Sequence, residues 1–329
     1  MRRNIKNFKL IAVAFIGFTS LPAFATPKHV THNRSRILIL SSGGGSGHEI
    51  AAQRARSILE KAQFETTIVH PMKEIWGTLD PLRRLTVGKF GGEELYNTVT
   101  KLGFDRVANL LVASGTDFVR NKRIQMEVMF NAYLDTLESD ARGFDLILST
   151  IPYNAPIHNV AVSKDIPFIV SIPDLDPTLY FYDFPDSVFT KLQLISPFST
   201  QTINHYLSGD SAKMYGHVLD NVPEDHIWHS VFPIGSEFSS PNTDRIIELK
   251  NQYSIRDSDK VMMLMMGSQG SRSMLKYLES MKGYTEPLHI LACFGSDQRS
   301  FHKSAYITFP DNISFHGLQY TNDISSLMN

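Results

Sequence analysis

The sequence predicts an α/β protein: a doubly wound first domain followed by a second, shorter α/β segment. Three observations predict it. Short runs of Val, Ile and Leu without polar alternation recur along the chain, as strands buried on both faces of a parallel sheet require. Helical patterns lie between most of them and supply the crossovers. The same rhythm restarts near residue 259 after a polar stretch.

The first 25 residues stand outside that pattern. Arg2, Arg3, Lys6 and Lys9 precede the apolar run "LIAVAFIGFTSL", and "AFA" at Ala23 to Ala25 gives a small-x-small cleavage pattern. This reads as a signal peptide over residues 1–25, so the protein is expected to be exported (periplasmic or secreted) or membrane-associated. The alternative is an uncleaved leader on the cytoplasmic face of the membrane. A run of about 12 apolar residues is shorter than the roughly 20 that a spanning helix needs. Its removal takes away four cations and no acid, lowering the formal charge from −1 to −5. Nucleic acid is therefore not expected as a partner, because phosphate backbones are held by clustered Lys and Arg. Cys293 is the single cysteine, which leaves no internal disulfide and no cysteine-based metal site.

The predicted strands of the first domain (34–235) are "RILIL" (36–40), "TTIVH" (66–70), "FDLILST" (144–150), "PFIVSI" (167–172), "LQLIS" (192–196) and "HSVFPI" (229–234). The helix after the first strand carries Ile50, Ala51, Ala55, Ile58, Leu59 and Ala62 as its apolar stripe. A helical region from about 92 to 139 interrupts the rhythm as an insertion over the sheet's edge. Residues 236–258 form a linker with one short helix. The second domain (259–329) reads as strand "KVMMLMM", loop "GSQGSR", helix "SMLKYLESM", strands "LHILACF" and "NISFHG", and a last helical start, "TNDISSLM". The methionines fall in a strand pattern and are expected in the core.

Between the first strand and its helix lies "SSGGGSGH". Gly43, Gly44, Gly45 and Gly47, with Ser46 among them, let backbone amides approach a ligand, and the helix start adds bare N–H groups. An anion is the natural guest; a tight turn without a ligand is the plain alternative. His48 and Glu49 stand where a Walker loop needs Lys and Ser or Thr. His48 also occupies the third glycine position of a dinucleotide fingerprint, and the second strand ends in His70 and Pro71 rather than an acid. ATPase and NAD chemistry are disfavoured.

These residues carry a family resemblance. "ILILSSGGGSGHEIAAQRARSILE" resembles the opening of the monogalactosyldiacylglycerol synthase and processive diacylglycerol glucosyltransferase group, related to glycosyltransferase family 28. "FDLILSTIPYNAPIHNVAVSKDIPFIVSIPDLDP", "VFPIGSEF" and "MMGSQGSRSML" resemble its later loops in the same order, although Pro233 here precedes Gly235. The resemblance covers about residues 35–329. It implies a GT-B-like fold of two Rossmann-like domains, the first binding a lipid acceptor such as diacylglycerol and the second a UDP-sugar. It implies no cofactor and no metal.

Residue by residue, the resemblance makes His48 the candidate base or polarising group. The other reading of His48 is a helix-start histidine bonded to a carbonyl. Asp174 and Asp176 follow a strand's carboxyl end, where they orient the acceptor or assist His48; equally they are turn formers before Pro177. Gly267, Ser268, Gln269 and Gly270, with Arg272, are the candidate donor-binding loop, against helix capping by Ser268 or Ser271. "EDHIWH" places His226 and His229 three apart without a third metal ligand. Residues 82–112 mix cations with apolar residues, and a peripheral membrane contact stays open beside an ordinary amphipathic insertion.

The sequence departs from the family in stopping after "FHGLQYTNDISSLMN". The family continues with a strand, a Thr-Lys-x-Gly-Gly type loop and a glutamate-bearing helix, so the second domain is expected to be incomplete and the transferase impaired. The alternative is a non-catalytic exported protein that binds a phosphorylated or lipid ligand.

Overall fold

The computed structural model describes residues 35–43, 46–137, 143–185, 192–230 and 236–329. The expected leader, Gly44, Gly45 and residues 231–235 lie outside them. The chain divides into two compact units. One takes the described parts of Met1–Gly43, Gly47–Gly92 and Leu111–Pro233, and the other those of Gly44–Ser46, Glu93–Leu110 and Ile234–Asn329.

In the first unit, six strands run β1 (Arg36–Leu40), β2 (Glu65–Val69), β3 (Leu146–Ser149), β4 (Phe168–Ser171), β5 (Leu192–Ser196) and β6 (Ile227–His229). They form one parallel sheet in the order β2-β1-β3-β4-β5-β6. Alternate residues of β1 serve opposite faces: Ile37 and Ile39 pack with Ala52, Ala55 and Leu59 of the first helix, Leu38 and Leu40 with Phe130, Ile147 and Phe168. Continuous aliphatic strands are the consequence of two covered faces. In β6, Ile227 pairs with Leu194 and Trp228 with Ile195; of the expected strand 229–234, residues 231–234 lie outside the described residues.

The helix Ser46–Lys61 follows β1. Its buried stripe is Ala51, Ala52, Ala55 and Leu59, and Ile50, expected inside, is 51% exposed. The stripe assigned from sequence therefore started one residue off the buried face. The helix ends with Gln63 at φ 67, where Gln63 N–H bonds Glu60 O and Phe64 N–H bonds Leu59 O. These two bonds close the last turn in the manner of a Schellman cap.

The 92–139 region is two helices, Gly92–Lys101 and Asp105–Leu137. Gly103, at φ 74, donates to Thr100 O while Phe104 N–H reaches Val99 O, the same cap built on the glycine that suits it. Residues 93–110 group with the second unit, so the first part of this segment is not an insertion over the first sheet. The later part is: Val119, Met126, Phe130 and Leu134 are buried in the first unit's core, and Trp76 Nε1–H bonds Met126 O at 3.0 Å.

The second unit has a parallel sheet β7 (Val261–Met265), β8 (Leu288–Cys293), β9 (Ile313–Leu318). Met274, Leu278, Ile290 and Phe294 fill one face; Leu291, Cys293 and Leu318 fill the other, against Tyr253, Ile324 and Leu327. Met262 and Met266 pack against the first of these cores and Met263 against the second, whereas Met265 is 46% exposed. Residues 236–258 hold two helices, Ser236–Ser239 and Thr243–Gln252, rather than one. Burial raises the Cys293 thiol to about 11, which keeps it protonated and inert. Among the described residues no helix is long and apolar enough to cross a membrane.

Candidate functional site

In an open parallel sheet, ligands bind beyond the carboxyl ends of the strands where the strand order reverses. Here that point lies between β1 and β3, because the chain leaves β1 for β2 on one side and later returns to β3 on the other. His48 and Thr150 meet there. The His48 ring bonds the Thr150 carbonyl through Nδ1 at 2.8 Å, and the Thr150 hydroxyl donates to Leu40 O at 2.9 Å. A carbonyl only accepts, so Nδ1 carries the proton, and in the neutral ring Nε2 keeps its lone pair. The carboxylate of Asp174, just beyond β4, brings Oδ2 to 3.8 Å from Nε2. The His48 side chain is 12% exposed and Asp174 is 46% exposed, so the ring edges toward solvent rather than into the apolar core.

A bare imidazole nitrogen beside a carboxylate can accept a proton and hold the resulting charge. Tyr180, 1% exposed, closes the group: its hydroxyl lies 2.9 Å from Asp174 Oδ2 and 3.3 Å from both His48 Nδ1 and Thr150 O. Burial, then the charge of Asp174, pushes the Tyr180 phenol well above its ordinary range, so it stays protonated.

Asp176 has a different place. Its Oδ1 accepts from Thr178 N (2.9 Å) and Oγ1 (2.5 Å), and its Oδ2 accepts from Ser211 Oγ (2.8 Å). It pins the short turn Thr178–Phe181 that carries Tyr180. Of the loop glycines, Gly43 is exposed, and a Cβ on Gly47 would meet nothing within 4 Å, so the space over it is open.

A second polar group adjoins the same strand ends. Glu49 Oε2 accepts from Ser41 Oγ at 2.7 Å and bonds His70 Nε2 at 2.8 Å; Gln53 holds Oε1 at 2.8 Å; and Glu74 bonds His70 Nδ1 at 3.1 Å. Burial opposes the charge of His70, but its bonds to Glu49 and Glu74 outweigh that and raise its pKa. Burial likewise opposes the charge of Glu49, and the bonds from Gln53, Ser41 and His70 prevail and lower it.

In the second unit, the β7 loop is drawn tight against the β8 loop. Gly270, at φ 69, leaves no room for a side chain: a Cβ would lie 2.2 Å from Phe294 O. Gly270 N–H bonds Gly267 O at 3.2 Å, Ser268 O accepts from Ser296 N at 2.9 Å, and Gln269 Oε1 accepts from Ser296 Oγ at 3.2 Å. Arg272 N–H bonds Lys101 O at 3.0 Å. One of the amides expected to cradle phosphate, that of Gly270, thus serves the fold. Ser271 Oγ, one residue before the helix N-cap Arg272, accepts from Ser273 N at 3.2 Å and donates to Thr100 O. What remains for an anion is charge: Arg272 lines a cavity of about 370 Å³ with Lys101 and Arg299, beside the acid Asp297.

His226 and His229 each bond a carbonyl, of Leu192 and Phe198. Among the described residues no group of three or more His, Cys, Asp or Glu is placed to hold a metal. Sequence reasoning missed Thr150, Tyr180, the Glu49–His70 pair and Arg299. His70 lies just past the end of β2 and Glu49 in the first turn of the helix after β1, a signal that was legible; Tyr180 carried none.

No family model matches the chain, and no curated protein does. Among solved structures it is similar to MurG of Acinetobacter baumannii, at 12% identity over 88% of this chain and 69% of that one, TM-score 0.44. It is also similar to a glycosyltransferase from Rickettsia africae (10%, 90% and 71%, 0.43). A third is Arabidopsis thaliana UGT89C1 complexed with UDP-L-rhamnose (10%, 88% and 70%, 0.45). Likeness at this level assigns no activity.

Proposed function

We propose that the chain is a GT-B-type hexosyltransferase that moves a sugar from a UDP-sugar to the hydroxyl of a lipid such as diacylglycerol. One observation carries the reading: His48, locked through Nδ1 to Thr150 O at the strand-order reversal, has Nε2 left beside Asp174. Nε2 takes the acceptor's proton, the acceptor oxygen forms the new bond to the anomeric carbon, and the bond to the diphosphate breaks with its electron pair leaving on UDP. Asp174 balances the imidazolium. The second unit's Arg272, Arg299 and Lys101 suit the diphosphate's charge.

A lipid acceptor is favoured by one surface of the first unit. Leu85 and Val87 are 82% and 87% exposed beside Arg84 and Lys89, and Val87 is held at φ 52, a left-handed conformation costly for a β-branched residue. Apolar side chains ringed by cations are suited to an anionic lipid surface. The N-terminal apolar segment fits the same reading, as a leader that exports the chain or brings it to a membrane; the mass of the mature N-terminus tests it.

The deciding experiment supplies radiolabelled UDP-glucose or UDP-galactose with diacylglycerol vesicles containing an anionic lipid. Glycolipid and UDP should form in equal amounts, and His48→Ala should lower the rate by about 10²–10⁴-fold, the usual worth of a general base. A chain that binds vesicles but neither binds UDP nor forms glycolipid is instead a lipid-binding protein.

A further inference from the structure

The geometry points to Tyr180 as the positioning residue that holds His48 and Asp174 in one fixed arrangement. The inference rests on the transferase reading only for its kinetic consequence. One phenolic proton has three acceptors or near neighbours within 3.3 Å, and it goes to the nearest and the only charged one, Asp174 Oδ2 at 2.9 Å. The phenol oxygen's lone pairs then face His48 Nδ1–H at 3.3 Å, alongside the Thr150 carbonyl that this N–H already meets at 2.8 Å. Two acceptors on one side of the ring favour the tautomer with the proton on Nδ1. That leaves Nε2 bare toward Asp174 and the acceptor.

The phenol is itself immobile. Its ring is buried, and it rises from the turn Thr178–Phe181, whose start is pinned by Asp176 and, through it, by Ser211. Asp176 and Asp174 therefore divide the labour of "PDLDP": one fixes the turn, and the other receives the hydroxyl which that turn presents. Asp174 alone is half exposed and would otherwise sample several rotamers. Burial and the Asp174 charge keep the phenol protonated, so it orients without exchanging its proton.

The test uses the full chain, ¹⁵N-labelled at histidine, with the His48 signals assigned by their loss in His48→Gln. Long-range ¹H–¹⁵N spectra of the neutral ring should show protonated Nδ1 and bare Nε2 in the unsubstituted chain. In Tyr180→Phe, Asp174 loses its donor and competes for a proton on Nε2 against the Thr150 carbonyl on Nδ1, so the two tautomers should mix. The substitution should also lower kcat for transfer about tenfold, the loss of one hydrogen bond to a charged group, with KM for the UDP-sugar within about twofold. Asp174→Ala, at a half-exposed position, is the second variant should Tyr180→Phe not fold. There Nε2 loses its carboxylate neighbour while the two lone pairs of Thr150 O accommodate both the phenol and Nδ1–H, so the ring should stay wholly in the Nδ1–H tautomer. An unmixed Nδ1–H tautomer in folded Tyr180→Phe, or mixed tautomers in Asp174→Ala, overturns the proposal. If the unsubstituted chain transfers no sugar, the transferase reading fails, and the spectra still decide the role of Tyr180.

Discussion

Each unit carries a glycine-bearing loop between a parallel strand and a helix, and the two loops use their glycines for opposite ends. In the first unit the space above Gly47 is open and the nearby polar groups, His48 and Asp174, are directed to where a ligand can arrive. In the second, Gly270 is a packing residue: its missing side chain lets the β7 loop touch the β8 loop, and amides there bond the protein itself. A count of glycines does not distinguish the two. What distinguishes them is whether a Cβ would meet solvent or backbone.

The sharpest break of this comparison is a pair of matched substitutions. Gly270→Ala must adopt a left-handed φ and drive a methyl into Phe294 O, a contact of 2.2 Å with backbone that cannot swing away. Strain of about 1–2 kcal/mol for the φ and 1–3 for the overlap is a large share of the 5–15 that holds a domain together. Gly47→Ala meets nothing, and in a helical first turn it should leave stability unchanged or raise it by up to about 1 kcal/mol. Urea melts should show a lowered midpoint for the first and none for the second. Equal losses in both would mean that the two loops do the same work.

The next effect concerns charge. Arg272→Gln or Arg299→Gln should weaken UDP binding by roughly tenfold each, as loss of a charge-assisted bond does, and leave vesicle binding alone. His48→Ala should do the reverse of the arginine changes, sparing UDP affinity while slowing transfer by about 10²–10⁴-fold. Titration calorimetry with UDP separates the outcomes, and UDP affinity unchanged in both arginine variants would remove the second unit's cavity from the reading.

The strands were legible because burial on both faces of a parallel sheet forces unbroken aliphatic runs, and "RILIL" and "LQLIS" match β1 and β5 end to end. The break at Gly103 was also written in the chain, as a glycine followed by Phe104, but a long helical periodicity overrode it. Ile50 was misassigned because on one helix a stripe beginning at 50 and one beginning at 51 differ by a single residue's rotation, about 100°. His48 and Asp174 were legible from the family resemblance. Thr150 and Tyr180 were not, because they reach His48 only through the order of strands, at separations of 102 and 132 residues. Local pattern has no access to contacts set by sheet order.

The smallest effect tests the polar group flanking the first unit's loop. A histidine whose pKa is raised on folding binds its proton more tightly in the folded chain. Its contribution to stability is therefore full below about pH 6.5, the unfolded value, and disappears as pH rises through the higher folded value. Glu49, lowered on folding, contributes above about pH 4.5 and loses its contribution as pH falls through its folded value. The bonded pair is thus worth most between those limits, at about pH 5–6. Because His70 is a third exposed, solvent screening holds its share to about 0.5–1 kcal/mol. His70→Gln should lower the urea midpoint at pH 5.5 and approach the unsubstituted chain by pH 9. A deficit that grows with pH would mean that neutral His70 is the stabilising form, and that Glu49 is held beside His48 by Ser41 and Gln53 alone.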